Sequence, residues 1–69
     1  MSNSTLENVR INIKNLRLKL GLTQDVLSEK AGISQDYLSL IELGKRKPSL
    51  VRLIKIAKAL GVEPYKLLM

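Results

Sequence analysis

Apolar side chains recur along this chain at steps of three and four residues, the period of one face of a helix. Leu6, Val9, Ile13, Leu16 and Leu20 form a first stripe that Gly21 closes, with Ile11 and Leu18 lying off it. Val26, Leu27 and Ala31 follow, Ser28 keeping the middle of that segment small, and Gly32 ends it. Ile33 then packs inward, and Tyr37, Leu38 and Ile41 form a third group. A fourth runs through Leu50, Leu53, Ile56, Ala57 and Leu60. Val51, Ile54 and Ala59 widen it, leaving a narrow polar strip of Arg52, Lys55 and Lys58. So much apolar surface implies burial of that helix on more than one side. Gly61 stops it, and Pro64 fits the first position of a last short helix, ahead of Tyr65, Leu67, Leu68 and Met69. The pattern predicts an all-α fold, a compact bundle of about five short helices.

Polar residues sit where such helices need caps. Ser4-Thr5-Leu6-Glu7 has the S-x-x-E form of a capping box, in which each side chain reaches the other residue's backbone N–H. Residues up to about 4 are expected as a loose end of a single domain spanning 1–69. Thr23, Ser34 and Ser49 each stand at the start of an expected helix, where a hydroxyl accepts from an orphan N–H, and Asp25 adds negative charge in a first turn. Gly32 stands where one helix stops and the chain turns sharply, a position that favours φ > 0. From Thr23 to Glu42 the order is therefore helix, glycine turn, helix. That is the spacing of the helix-turn-helix, whose second helix enters the DNA major groove.

Charge sharpens this reading. The chain has 69 residues, 12 Lys+Arg against 6 Asp+Glu, and a net charge of +6. No acid occurs from Leu43 to Val62, whereas Lys45, Arg46, Lys47, Arg52, Lys55 and Lys58 all fall there. Such a block suits a polyanion. There is no Cys and no His, which excludes disulfides, thiol–imidazole catalysis and ordinary zinc sites and fits a cytoplasmic location. No metal or cofactor is expected. No apolar run approaches the roughly 20 residues that cross a bilayer, and the N-terminus lacks the apolar core of a signal peptide. No paired acid and base, nucleophile–base pair or glycine-rich phosphate loop is evident, so an enzyme is not expected.

The chain resembles the phage-repressor/Cro-like (XRE-type) helix-turn-helix family. The residues that carry the likeness are Gly21-Leu22-Thr23-Gln24, Gly32-Ile33-Ser34, Tyr37-Leu38-Ser39, Ile41-Glu42, Gly44-Lys45, Pro48-Ser49-Leu50 and the run from Lys55 to Val62. They cover nearly everything after about Val9. Ser28 departs from the Ala usual in the family and is nearly as small. The resemblance implies an ion pair between Arg17 and Glu42, locking the first helix to the recognition helix. It also implies that Gln24, at the start of the preceding helix, touches the DNA backbone.

Within a recognition helix of about residues 34–42, Leu38 and Ile41 face the core, leaving Gln35, Asp36, Ser39 and Leu40 to read bases. Gln pairs in bidentate fashion with adenine, Asp accepts from cytosine N4, Ser bonds a base or a phosphate, and Leu touches a thymine methyl. Asp36 alternatively complements its helix N-terminus, and Leu40 alternatively belongs to the core. Thr23, Gln24, Ser34, Tyr37, Lys45, Arg46, Lys47 and Arg52 are the expected phosphate contacts, Tyr37 as a partly buried residue with its hydroxyl toward a phosphate.

The apolar ending Tyr65, Leu67, Leu68 and Met69 has two explanations: a self-complementary patch that makes a two-fold homodimer, or core packing. In a dimer, two recognition helices would enter successive major grooves about 34 Å apart and read a near-palindromic site on double-stranded DNA. The family's compact members include phage regulators, restriction–modification controllers and antitoxins. The alternative function is accordingly a protein-binding module of antitoxin type, its main partner another protein. A membrane-surface role for the basic, amphipathic stretch from Leu50 to Leu60 is disfavoured, because the caps and glycines specify a globular fold.

Overall fold

A computed structural model describes residues 3–69, with side chains from Thr5 onward. Four α-helices succeed one another: α1 Asn3–Lys19, α2 Gln24–Ala31, α3 Gln35–Glu42 and α4 Leu50–Leu60. The fifth expected helix is instead a single 3-10 turn, Pro64–Leu67. Pro64 opens it, Glu63 offers no side-chain cap, and the turn closes with the Lys66 N–H on Glu63 O and the Leu68 N–H on Tyr65 O, both 3.0 Å. Runs of this length are what 3-10 geometry supports.

Local chemistry sets the helix ends. Thr23, Ser34 and Ser49 have extended backbones, and their hydroxyls accept from Val26, Tyr37 and Arg52 N–H. Gly32 adopts the left-handed conformation at φ 70°. Its N–H and that of Ile33 fold back onto Glu29 O and Ser28 O, the bonding of a Schellman close. A side chain there would be strained, so α2 turns into α3 at a glycine. The capping box expected at the start of α1 involves the Ser4 side chain, which lies outside the described residues. Both Glu7 oxygens accept from Arg10, at 2.7 and 2.9 Å.

The core gathers Val9 and Ile13 of α1, Leu27 and Ala31 of α2, Leu38 and Ile41 of α3, and Leu53, Ile56, Ala57 and Leu60 of α4. α2 packs chiefly against α4, and α1 against α3, α4 and the 3-10 turn. Ser28 is buried without cost because its hydroxyl donates to Asp25 O at 2.8 Å.

Three apolar expectations are corrected. Leu6 and Leu20, at the two ends of the α1 stripe, are exposed, and the stripe is completed in the interior by Arg17. α4 is buried on one side only: Leu50 is 71% exposed, and Val51 and Ile54 are also open. Leu67, expected on a dimer surface, is fully buried. The reason is a tether: Asn12 Nδ2 on α1 donates to Leu67 O at 3.1 Å and to Lys66 O at 3.3 Å, which draws the turn against α1 and drives Leu67 into the core. Tyr65, Leu68 and Met69 stay exposed.

Leu67→Ala should therefore cost about 2–5 kcal/mol of stability, whereas Leu18→Ala, at a side chain 56% exposed, should stay within about 0.5 kcal/mol. Urea unfolding of the two variants checks this, and equal midpoints would contradict the burial assigned to Leu67.

Candidate nucleic-acid interface

α3 presents its first turn outward. Ser34 Oγ accepts from the Tyr37 N–H at 3.0 Å, fixing where the helix begins. Leu38 and Ile41 point into the core, so the helix cannot roll. Gln35 and Asp36 are left exposed, with Leu40 exposed and Ser39 half-buried on the same element. All four expected base-reading residues thus lie at or near the surface of one short helix.

The other end of α3 is fixed by a buried carboxylate. Arg17 and Glu42 are only 8% and 6% exposed. Arg17 Nε donates to Glu42 Oε2 at 2.8 Å and Nη2 to Oε1 at 2.9 Å. The third guanidinium nitrogen, Nη1, donates to Leu22 O at 2.9 Å. Gln24 Nε2, from the first residue of α2, adds a further bond to Glu42 Oε1 at 3.1 Å. The hydrogen bond to Glu42 raises the Arg17 pKa above its ordinary value, and burial opposes it. A raised value leaves Arg17 charged, and its share of the stability in place, throughout the neutral range. Gln24, expected on the DNA backbone, spends one amide hydrogen inside the protein; the other amide hydrogen and the N–H groups at the start of α2 are what it has left for a phosphate.

The loop between α3 and α4 carries Lys45, Arg46 and Lys47, all exposed. It leaves α3 through Gly44 at φ 75°, where a Cβ would sit 3.0 Å from Arg10 Cδ. Arg10, itself held by Glu7, therefore fixes the path of the basic loop. At the loop's far end the Tyr37 hydroxyl accepts from the Ser49 N–H at 3.1 Å. The guanidinium carbons of Arg46 and Arg52 lie 4.9 and 5.2 Å from the centre of the Tyr37 ring. Gly32, Ile33, Ser34, Tyr37, Arg46 and Arg52 together line a cleft of about 290 Å³. The spacing of residues gave no signal for this cluster or for the Gln24 bond, since both join positions far apart in sequence. Among the described residues, no three His, Cys, Asp or Glu side chains converge to hold a metal, and no helix is long and apolar enough to cross a membrane.

A glycine-hinged helix pair with an outward polar first turn and a cationic loop defines the helix-turn-helix class. The chain matches the helix-turn-helix family over residues 13–67 and belongs to that XRE-type family of transcriptional regulators. It is 43% identical over 56 residues to the uncharacterized HTH-type transcriptional regulator y4dJ of Sinorhizobium fredii, covering 81% of this chain and 73% of that protein. The fold is similar to that of the hypothetical transcription factor NHTF from Neisseria, with a TM-score of 0.90 and 29% identity over 94% of this chain and 75% of that one. It is likewise similar to the restriction-modification controller protein C.AhdI from Aeromonas hydrophila, with a TM-score of 0.82 and 33% identity over 97% and 98%.

Removing one partner of a buried pair strands the other's charge. Glu42→Ala is expected to cost about 3–5 kcal/mol, against no more than about 0.5 kcal/mol for Glu29→Ala on the exposed face of α2. Thermal melts of the two variants decide it; indistinguishable midpoints would show that the Arg17–Glu42 pair does not organise the fold.

Proposed function

We propose that this protein is a sequence-specific transcriptional regulator that binds double-stranded DNA with α3 in the major groove. The observation that carries the reading is the placement of Gln35, Asp36, Ser39 and Leu40 on an outward helix whose opposite side is locked into the core. Gln35 has no side-chain hydrogen bond among the described residues and is the leading base reader, through its paired amide donor and acceptor. Asp36 and Ser39 accept from or donate to neighbouring base edges, and Leu40 meets a thymine methyl. Thr23, Gln24 and Ser34 meet phosphates at the starts of α2 and α3, where free N–H groups gather. Lys45, Arg46, Lys47 and Arg52 flank the same groove and supply most of the affinity, because phosphate contacts release counterions while base contacts select the site.

The regulator acts as a homodimer on a near-palindromic operator, in the cytoplasm. Tyr65, Leu68 and Met69 belong to the dimer surface and Leu67 does not, being interior. Leu50, Val51 and Ile54 extend that surface. They are exposed on α4, the helix against which the C-terminal turn packs, and a second copy of the chain would cover them.

Selection from a random duplex library tests the proposal. It should enrich one motif in two half-sites about 10–10.5 base pairs apart, bound on the order of 10³-fold more tightly than random DNA. Gln35→Ala should relax the preference at one position of each half-site. Recovery of no motif would overturn the proposal, and an unchanged motif with Gln35→Ala would overturn the role given to that residue.

A further inference from the structure

We infer that Arg46 and Arg52 form a clamp for a single backbone phosphate, and that Tyr37 is the positioning residue that holds them, acting through its ring and not through its hydroxyl. The inference rests on the DNA-binding reading and specifies how one part of that surface works.

The two arginines belong to different elements, Arg46 to the loop after α3 and Arg52 to the first turn of α4. Tyr37 is what both have in common, with guanidinium carbons 4.9 and 5.2 Å from its ring centre. The negative face of an aromatic ring attracts a cation at this range. The ring in turn is held by its packing against the core, and the residue is anchored at its backbone and at its tip. Its backbone N–H is bound by Ser34 Oγ at 3.0 Å, and its hydroxyl oxygen accepts from the Ser49 N–H at 3.1 Å. That second bond ties α3 to the start of α4 and commits the hydroxyl to a structural task.

Two like charges on one small platform repel each other, and neither has a carboxylate partner among the described residues, where the ion pairs are Glu7–Arg10 and Arg17–Glu42. Both arginines line the same cleft of about 290 Å³, and Ser34 is part of the same lining. An anion in that cleft relieves the repulsion. The planar fork of each guanidinium matches the oxygens of a phosphate, and the Ser34 hydroxyl keeps its own proton to donate. A phosphodiester of the duplex, lying beside the N-terminus of a helix that enters the groove, is the phosphate within reach.

The test is the dependence of affinity on salt for the selected duplex, measured by fluorescence anisotropy for the unaltered protein and for Arg46→Ala, Arg52→Ala, the double variant, Tyr37→Phe and Tyr37→Leu. Each neutralised phosphate contributes about 0.9 to the slope of log K against log salt. A shared phosphate predicts that the double variant loses about 0.9 per protomer, about 1.8 for a dimer on both half-sites. Tyr37→Phe should keep affinity and slope, whereas Tyr37→Leu should weaken binding and lower the slope with the base preference intact. A loss of about 3.6 per dimer in the double variant, as for two separate phosphates in each protomer, no loss at all, or equal weakening by Tyr37→Phe and Tyr37→Leu would overturn the clamp and leave the DNA reading standing. If Tyr37→Leu fails to fold by circular dichroism, the arginine variants, altered only at exposed side chains, still decide. If the unaltered protein shows no salt-dependent preference for any duplex, the DNA reading falls and the clamp falls with it.

Discussion

One carboxylate organises this molecule. Glu42, the last residue of α3, receives Arg17 from α1 and Gln24 from α2, and the same guanidinium reaches back to Leu22 in the connection between them. Two helices, α1 and α2, therefore converge on the end of α3 opposite its polar first turn. Charges as buried as these are expensive to remove from water, and a well-packed apolar pair of similar volume could be as stable. What the ionic version adds is direction: the bidentate geometry sets the rotation of α3 about its axis, while Leu38 and Ile41 set its depth. With those fixed, the side chains of the first turn have one way to point.

The rest of the surface divides accordingly. On one side the Gly44 turn, packed over Arg10, leads the cationic loop past the start of α3. Elsewhere α4 shows Leu50, Val51 and Ile54 to solvent, and the C-terminal turn shows Tyr65, Leu68 and Met69. A chain of 69 residues buries only about 60% of what it exposes when unfolded, so some apolar surface must remain. The part of it on α4 and the C-terminal turn is what the proposed two-fold partner would cover, which would also double the phosphate contacts.

How much of this was legible in the sequence depends on the range of the interaction. The caps at Thr23, Ser34 and Ser49 and the turn at Gly32 are decided within three or four residues, and they stand where the residues place them. The Arg17–Glu42 pair was readable only through family resemblance, because nothing in the spacing joins positions so far apart. The tether from Asn12 to the C-terminal turn had no signal, and without it Leu67 looks like any other terminal apolar residue. Periodicity also overestimated burial on α1 and α4. It reports which residues share a face, and a small bundle has too few neighbours to cover every face it finds. The interface was legible in its residue types and not in its wiring. Gln24 and Tyr37 were placed among the DNA contacts, yet both are bonded inside the protein, and Tyr37 is where two arginines meet.

In the proposed binding mode α3 is locked from behind so that its leading side chains meet the DNA. Titration of nitrogen-15-labelled protein with the selected duplex, followed by amide chemical shifts, measures this residue by residue. The largest shifts are expected at Gln35, Asp36, Ser39 and Lys45 to Lys47, with Leu67 and the buried core little changed. Shifts confined to Leu50–Ile54 and Tyr65–Met69, with the first turn of α3 unmoved, would contradict it.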